Sequence, residues 1–417
     1  METIVKDEIV SHLMKYNLLT DDQHGFVPGR DCITQLLVCI DKWTELLEDG
    51  QNFDVIFTDF SKAFDSVPHE RLFVKLKSLG IRGDILQWVK SFLRGRTQCV
   101  SVDGKKSSWK DVLSGIPQGS VLGPILFVIF INDMPLEVKY NICKLFADDC
   151  KLFGIVKDRV QNTMQSDLTK LEDWSTIWQL PFNANKCKVM HFGKSNPKHI
   201  YQLNGHELET TDSEKDLGVM VDNNLKFHVH TSFATKKANQ ILGVIKKTFK
   251  TRDAFTISTL YKSLVRPHLE YGNVIWGPHY AGDKKMIESV QRRATKMVSG
   301  LHETPYGERL KILNLPSLDY RRSRGDMIQC FKIMKDLVRM KKNEIFTPIP
   351  SSNTRGHSMR VLRLGAKKFA RINTFSRRVI RDWNSLPETV VDAPSLNTFK
   401  NRLDEHWKDK KYFSTSV

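Results

Sequence analysis

Residues 141–156 read NICKLFADDCKLFGIV. Apolar and polar positions alternate on both sides of two adjacent aspartates, which predicts a β-hairpin. A hairpin commits the chain to an antiparallel sheet, and this one places Asp148 and Asp149 at its expected tip. Two-residue hairpin loops favour Asn-Gly, Asp-Gly or Gly-Gly, because both central positions of the commonest turn need positive φ. Asp-Asp is a poor choice by that rule, and adjacent like charges repel. A local rule broken without visible compensation points to a functional cause.

The rest of the chain places that hairpin among alternating elements. An amphipathic helix carrying Ile4, Ile9 and Leu13 precedes the turn-rich DDQHGFVPGRD, and a second helix follows with Ile33, Leu36, Leu37, Ile40 and Leu47 at helical spacing. FDVIFTDF (53–60) reads as a buried strand ended by a turn, and Pro68 opens the helix ERLFVKLKSLG. The helix DILQWVKSFLRG leads into two β-like segments, TQCVSVDG and KDVLSGIPQGS. VLGPILFVIFINDM is too long for a strand and reads as a buried helix. LTKLEDWSTIWQL reads as a helix, and KCKVMHFG and LGVMVD as strands. This order fits an α+β fold with an antiparallel sheet of the ferredoxin-like or split βαβ kind. Helices dominate from about residue 225, and the Pro/Ser-rich TPIPSSNTRG (347–356) marks a joint before a last basic segment. The expected divisions are therefore 1–225, 226–346 and 347–417.

Charge separates the same regions. Residues 1–225 carry 26 Lys and Arg against 31 Asp and Glu; residues 226–417 carry 38 against 16. A mildly acidic part suits a cation-binding catalytic site, and a part with a net charge of +22 suits a polyanion. The basic helices, with Lys236, Lys237, Lys246, Lys247 and Lys250 in one and Arg292, Arg293 and Lys296 in another, lack the broad apolar face of interfacial membrane helices. No run of 18 apolar residues suggests a membrane span, and the acidic residues of METIVKDEIV do not suit a signal or transit peptide. Seven scattered cysteines form no C-x-x-C. They lead us to expect a reducing, intracellular compartment, whether cytoplasm or nucleus, with neither disulfides nor structural zinc.

Asp59 falls at the end of the expected strand 53–60. Were that strand beside the hairpin, Asp59, Asp148 and Asp149 would converge at one sheet edge, at a cost that cations would offset. Mg²⁺ takes oxygen ligands and is commonly shared between a few carboxylates and substrate phosphates. Two such ions roughly 3.5–4 Å apart can clamp the attacking and leaving oxygens of a phosphoryl displacement. In SGIPQGSVLGP (114–124), Gly119 allows close backbone approach to a ligand and Gln118 offers an amide.

DFSKAFD, SGIPQGSVLGP and FADD, in this order and with 89 residues from Asp59 to Asp148, resemble the palm motifs of reverse transcriptases. The likeness is greatest to non-LTR (LINE-type) retrotransposon polymerases of the jockey and chicken-repeat-like group. QHGFVPGRD, LPFNANKCKVMHFG, KDLGVMVDNNL and RPHLEYGNVIWGP extend it over nearly the whole chain. An RNA-templated RNA polymerase more often shows Gly-Asp-Asp. The resemblance implies a right-hand polymerase palm with partial fingers and a helical basic thumb. It implies RNA-directed DNA synthesis, with an RNA template, a DNA primer and dNTPs as partners and two Mg²⁺ ions, or Mn²⁺, as cofactors.

By the same resemblance, Asp59, Asp148 and Asp149 hold the ions. Phe64 matches the aromatic gate that excludes a ribose 2′-hydroxyl. Phe60 aligns with the residue whose backbone faces the triphosphate, and Gln118 and Gly119 match the motif touching nucleotide and template. Lys186 falls where the family places a lysine proposed to protonate pyrophosphate, Arg30 and Lys62 lie near template or phosphate, and LGVMVD forms the primer grip. The last basic segment is a candidate for binding element RNA.

Some of the pattern departs. The family's fingers begin before the segment at which this sequence opens, an upstream endonuclease and a Cys/His knuckle are not seen, and Val27 stands where arginine is common. The expectation is the reverse transcriptase part of a truncated element, or an incompletely predicted gene product. Two further readings are a catalytically inactive nucleic-acid-binding relic and a metal-dependent nuclease. The nuclease leaves Phe64 and the PQG motif unexplained.

Overall fold

A computed structural model describes residues 1–157, 163–349 and 356–412. The chain divides into two compact units, one of residues 1–35 with 51–211 and the other of residues 36–50 with 212–417. The position expected to separate palm from thumb, 225, lies inside the second unit. Of the joint expected at 347–356, residues 350–355 lie outside the described residues. No helix among the described residues is long and apolar enough to cross a membrane.

The first unit is built on an antiparallel sheet. Strand β1 (Phe53–Thr58) is flanked by β3 (Asp149–Ile155) and β4 (Lys188–Phe192), both antiparallel to it. β2 (Ile142–Phe146) pairs with β3, and the short β5 (Glu209–Thr210) adds a parallel edge to β4. The spatial order is thus β5-β4-β1-β3-β2. Every residue of FDVIFT except Phe57 is buried, as a central strand covered on both faces requires.

Helices cover the sheet. α1 (Glu2–Lys15) buries Val5, Ile9 and Leu13, an i, i+4, i+8 stripe; Ile4, expected in that stripe, is exposed. The i+4 spacing turns Val5 inward and leaves Ile4 a step off the face. α2 (Cys32–Glu48) contributes its first residues to this unit and residues 36–48 to the other. α3 (His69–Ser78), with Pro68 just before it, α4 (Gly83–Leu93) and α6 (Thr163–Trp178) follow the sequence pattern. α5 (Gly123–Ile131) is apolar all round and buried all round, from Ile125 to Ile131 without exception.

The two β-like segments before α5 are reduced to pairs of residues. Thr97–Gln98 pairs with Lys110–Asp111, and Ser101–Val102 with Lys105–Lys106, all exposed. Residues 114–120, expected to continue the second segment, form a loop. Without a core face to bury one side, alternation there cannot hold a longer strand.

The second unit opens with a hairpin of β6 (Ser213–Asp216) and β7 (Val219–Asp222), whose turn residues Leu217 and Gly218 both have positive φ. The Tyr271 hydroxyl donates to Leu217 O at 2.8 Å, so RPHLEYG packs on the turn of LGVMVD. The longest helices after it are α7 (His228–Thr248), α8 (Ala281–Lys296), α9 (Leu318–Met334) and α10 (Leu396–His406). Residues 36–50 belong here because Asp41 is buried against Arg371, 2.9 Å away. Several arginines of the last basic segment are used in this way: Arg378 pairs with Asp326 at 2.8 Å.

Candidate active site

The β1–β3 register runs from Phe53 opposite Ile155 to Thr58 opposite Cys150. One further step sets Asp59 abreast of Asp149, at the end of the sheet where β2 turns into β3. The turn itself is shifted by one residue from the sequence expectation. Phe146 pairs with Asp149, so the two loop residues are Ala147 and Asp148, and Asp149 is the first residue of β3. Only Ala147 has positive φ, at 52°. The rule that both turn positions need it does not apply here, and neither aspartate bears that strain.

Asp59 is held at its end by the segment Leu180–Cys187. Asn183 N donates to Asp59 O at 2.8 Å, Ser61 N donates to Pro181 O at 2.8 Å, and Phe60 stacks on Phe182 with centroids 4.4 Å apart. The same segment brings the Lys186 ammonium to 3.2 Å from Asp59 Oδ2. NANKCK therefore acts as a clasp around Asp59 and delivers an exposed cation to it.

Burial pushes the Asp148 carboxyl above the usual carboxylate range, and the nearby charge of Asp59 pushes it the same way, against a lowering backbone hydrogen bond. Burial also pushes the Cys187 thiol, beside Asp59, up to about 11. Asp148 is half-buried near Asp59, whose carboxylate has the exposed Lys186 ammonium beside it, and a hard cation would ease the remaining repulsion. Among the described residues no three Asp, Glu, His or Cys side chains gather closely enough to enclose an ion by themselves. Mg²⁺ is usually bound by one or two carboxylates together with waters and substrate phosphates. The donor set of Asp59 and Asp148, with Asp149 adjoining, fits such an ion.

Beside the carboxylates, Lys62 has a positive φ of 49° and starts a helical turn, Ala63–Ser66. It carries the half-buried Phe64, which stacks on Phe127 of α5 at 4.5 Å. Ile116 N donates to Phe64 O at 2.7 Å, tying this turn to the PQG loop. Gln118 is exposed and its amide donates to Asp65 Oδ1 at 3.0 Å. Gly119, φ +83°, is open on the side where a Cβ would stand. Lys62, Asp65, Arg96, Gln98 and Gln118 line a groove of about 1010 Å³. Sequence reasoning misses Asp65 and Arg96 as groove residues. Asp65 is the second acidic residue of DFSKAFD, and that repetition is the available signal.

Arg30, expected near template or phosphate, is engaged within its own loop. Its guanidinium is buried, donating to Gln23 O at 2.8 Å and Thr20 O at 3.0 Å and pairing with Asp21 at 2.6 Å. It braces its own loop.

Residues 1–245, more than half of the chain, match the family described as reverse transcriptase (RNA-dependent DNA polymerase). The chain belongs to the reverse transcriptase family. Its relatives include the RNA-directed DNA polymerase from mobile element jockey of Drosophila melanogaster, 28% identical over 313 residues, and that of Drosophila funebris, 29% identical over 317 residues. Each alignment covers 72% of this chain and 34% of the relative. The probable RNA-directed DNA polymerase from transposon X-element of Drosophila melanogaster is 25% identical over the same shares. The chain thus spans about a third of the length of the curated relatives it matches. Among solved structures, telomerase from Candida albicans in complex with a telomeric RNA fragment is 10% identical with a TM-score of 0.43, over 72% of this chain and 56% of that one. The antiparallel sheet carrying FADD at a β-turn is the palm of this reverse transcriptase fold.

Proposed function

We propose that the chain catalyses RNA-directed DNA synthesis, in which a primer 3′-hydroxyl attacks the α-phosphate of a dNTP on an RNA template and pyrophosphate leaves. The observation that carries this reading is the placement of Asp59 and the Ala147–Asp148 turn at the same end of the β1–β3 strands, beside the Phe64 turn and the PQG loop. Asp59 and Asp148, with Asp149 nearby, would hold divalent cations, Mg²⁺ or Mn²⁺, which when bound would supply Lewis-acid stabilisation of the attacking and leaving oxygens. Lys186 is exposed, near enough to Asp59 to be oriented by it, and able to give its proton to the leaving pyrophosphate. Gln118, oriented by Asp65, and the open backbone of Gly119 contact the nucleotide and template, and the Phe60 backbone and Lys62 lie along the triphosphate.

The stack of Phe64 on Phe127 holds its ring in place, which supports Phe64 as the group that would fill the space of a ribose 2′-hydroxyl. Phe64→Ala is expected to relax selection of dNTPs over rNTPs by roughly 10- to 200-fold, the range over which fit in an apolar pocket discriminates. Competing single-nucleotide incorporation measures it, and an unchanged ratio contradicts the gate.

The second unit serves as the thumb-like, nucleic-acid-holding part, with LGVMVD as primer grip and residues 347–417 as its basic end. Counted over its residues it carries 40 Lys and Arg against 24 Asp and Glu, whereas the first unit carries 24 against 23. Lys236, Lys237, Lys246, Lys247 and Lys250 are exposed on or just after α7. Replacing Lys246, Lys247 and Lys250 together by Ala is expected to lower the slope of log affinity against log salt by about 0.7–0.9 for each phosphate that these lysines neutralise. A titration of primer–template binding between low and moderate salt reads this, and an unchanged slope places the duplex elsewhere. The polymerase reading itself is tested by primer extension with the Asp148→Ala control.

A further inference from the structure

The loop Thr20–Arg30 does more than join two helices. Leu145 N donates to Asp22 O at 2.9 Å and His24 N donates to Leu145 O at 2.8 Å, so Gln23 lies parallel to the end of β2, close to the Ala147–Asp148 turn. The Gln23 side chain is fully buried. Its Oε1 accepts from Ala147 N at 2.9 Å and from Gly25 N at 2.7 Å, and its Nε2 stands 3.5 Å from Ala147 O. The glutamine amide thus spans both polar groups of Ala147's backbone.

Ala147 is the one turn residue with positive φ, a conformation that its Cβ disfavours. Its N–H is buried and must find an acceptor inside the protein, which Gln23 Oε1 supplies. The backing is close on the other side too: a Cβ on Gly25 would lie 2.2 Å from Ala147 N, so only glycine allows the loop to touch the turn. The loop is itself braced. Arg30 donates to Gln23 O at 2.8 Å, and Lys144 Nζ on β2 reaches Asp22 Oδ1 at 2.7 Å.

We infer that Gln23 is a positioning residue for the catalytic turn. It holds the Ala147 backbone in its strained orientation and thereby fixes the direction in which the neighbouring Asp148 carboxylate leaves the backbone. Gln23 acts on Asp148 through the Ala147 backbone, its other bond going to Gly25 N of its own loop. A two-residue turn has few torsions, so releasing the Ala147 backbone redirects Asp148, whereas Asp149, anchored in β3 opposite Phe146, stays in place. The inference rests on the polymerase reading for its consequence in catalysis, and on Gln23 and Ala147 alone for its geometry.

The test uses the full chain with Gln23→Met, similar in length but without an amide, and Gln23→Glu, which keeps an acceptor oxygen. Mn²⁺ binding without nucleotide is titrated by electron paramagnetic resonance, amide exchange is followed in the peptide spanning Phe146–Asp149, and kcat and KM are taken from primer extension. Gln23→Met is expected to weaken Mn²⁺ binding and lower kcat roughly 10-fold, the scale of an outer-shell partner, with KM for dNTP little changed. Its Ala147 amide should exchange faster, and Gln23→Glu should recover most of each loss. Unchanged Mn²⁺ affinity and exchange in a folded Gln23→Met protein overturn the inference. Should that variant not fold, the wild-type chain still decides. An Ala147 amide exchanging as fast as one exposed to solvent overturns it, and one protected like the sheet supports it. Failure of the wild-type chain to extend a primer would count against the polymerase reading and leave the binding and exchange results standing on their own.

Discussion

Asp148→Ala is expected to lower primer extension by more than the roughly 100-fold that marks the upper end for groups acting from outside the metal's own ligands. Asp148 sits in a two-residue turn and faces Asp59, so the change removes half of the carboxylate pair that would hold the ion. The fold should survive the change. A carboxyl whose proton affinity is raised in the folded state contributes stability that is full below its unfolded value and lost as pH rises through the raised folded value. At neutral pH the ion-free protein therefore carries the cost of the Asp148 charge, and Asp148→Asn should raise its thermal midpoint while abolishing extension. A lower midpoint for Asp148→Asn without ions would contradict the electrostatic account of the site, and retained extension would contradict its chemistry.

Asp54→Ala is expected to cost about 3–5 kcal/mol of folding free energy, the scale for breaking a buried charged network. Asp54 lies in β1, ahead of Asp59 on the same strand, and is fully buried. It accepts from the Tyr201 hydroxyl at 2.6 Å, Asn196 Nδ2 at 2.8 Å and His191 Nδ1 at 2.8 Å. Burial and the Asp54 charge raise the Tyr201 phenol far above its ordinary range, so it remains a donor. Removing the carboxylate leaves these donors facing a void in the centre of the sheet. Tyr201→Phe, which loses one bond of the set, should cost about 1–3 kcal/mol. Denaturant melts of the two variants measure both, and equal small losses would show that the network is not what fastens β1 to the segment beyond β4.

Much of the palm could be read from the chain because its signals are local. Alternation in KLFADDCKLF gives the β2–β3 hairpin, the largely apolar run in FDVIFT gives a central strand, and the apolar α5 can only be buried. The pairing of Asp59 with the hairpin follows once both strands share a sheet. What could not be read depends on contacts distant in sequence. The register that makes Ala147–Asp148 the turn, with Asp149 already in β3, is set by pairing across the hairpin rather than by composition. Gln23 and Ala147 are 124 residues apart, and nothing in QHGF announces a clamp. Arg30 reads as a free cation in GFVPGR, yet carbonyls of its own loop use it. The division of α2 between two units likewise follows from Arg371 reaching Asp41, 330 residues away.

Extension of a DNA primer on a heteropolymeric RNA template by the purified chain, with Mg²⁺ and dNTPs, measures the polymerase activity most directly. Products complementary to the RNA, lost with Asp148→Ala, are expected. Absence of any extension by the wild-type chain, while primer–template binding remains and is weakened by salt, would contradict that activity and leave a palm and basic unit that only hold nucleic acid.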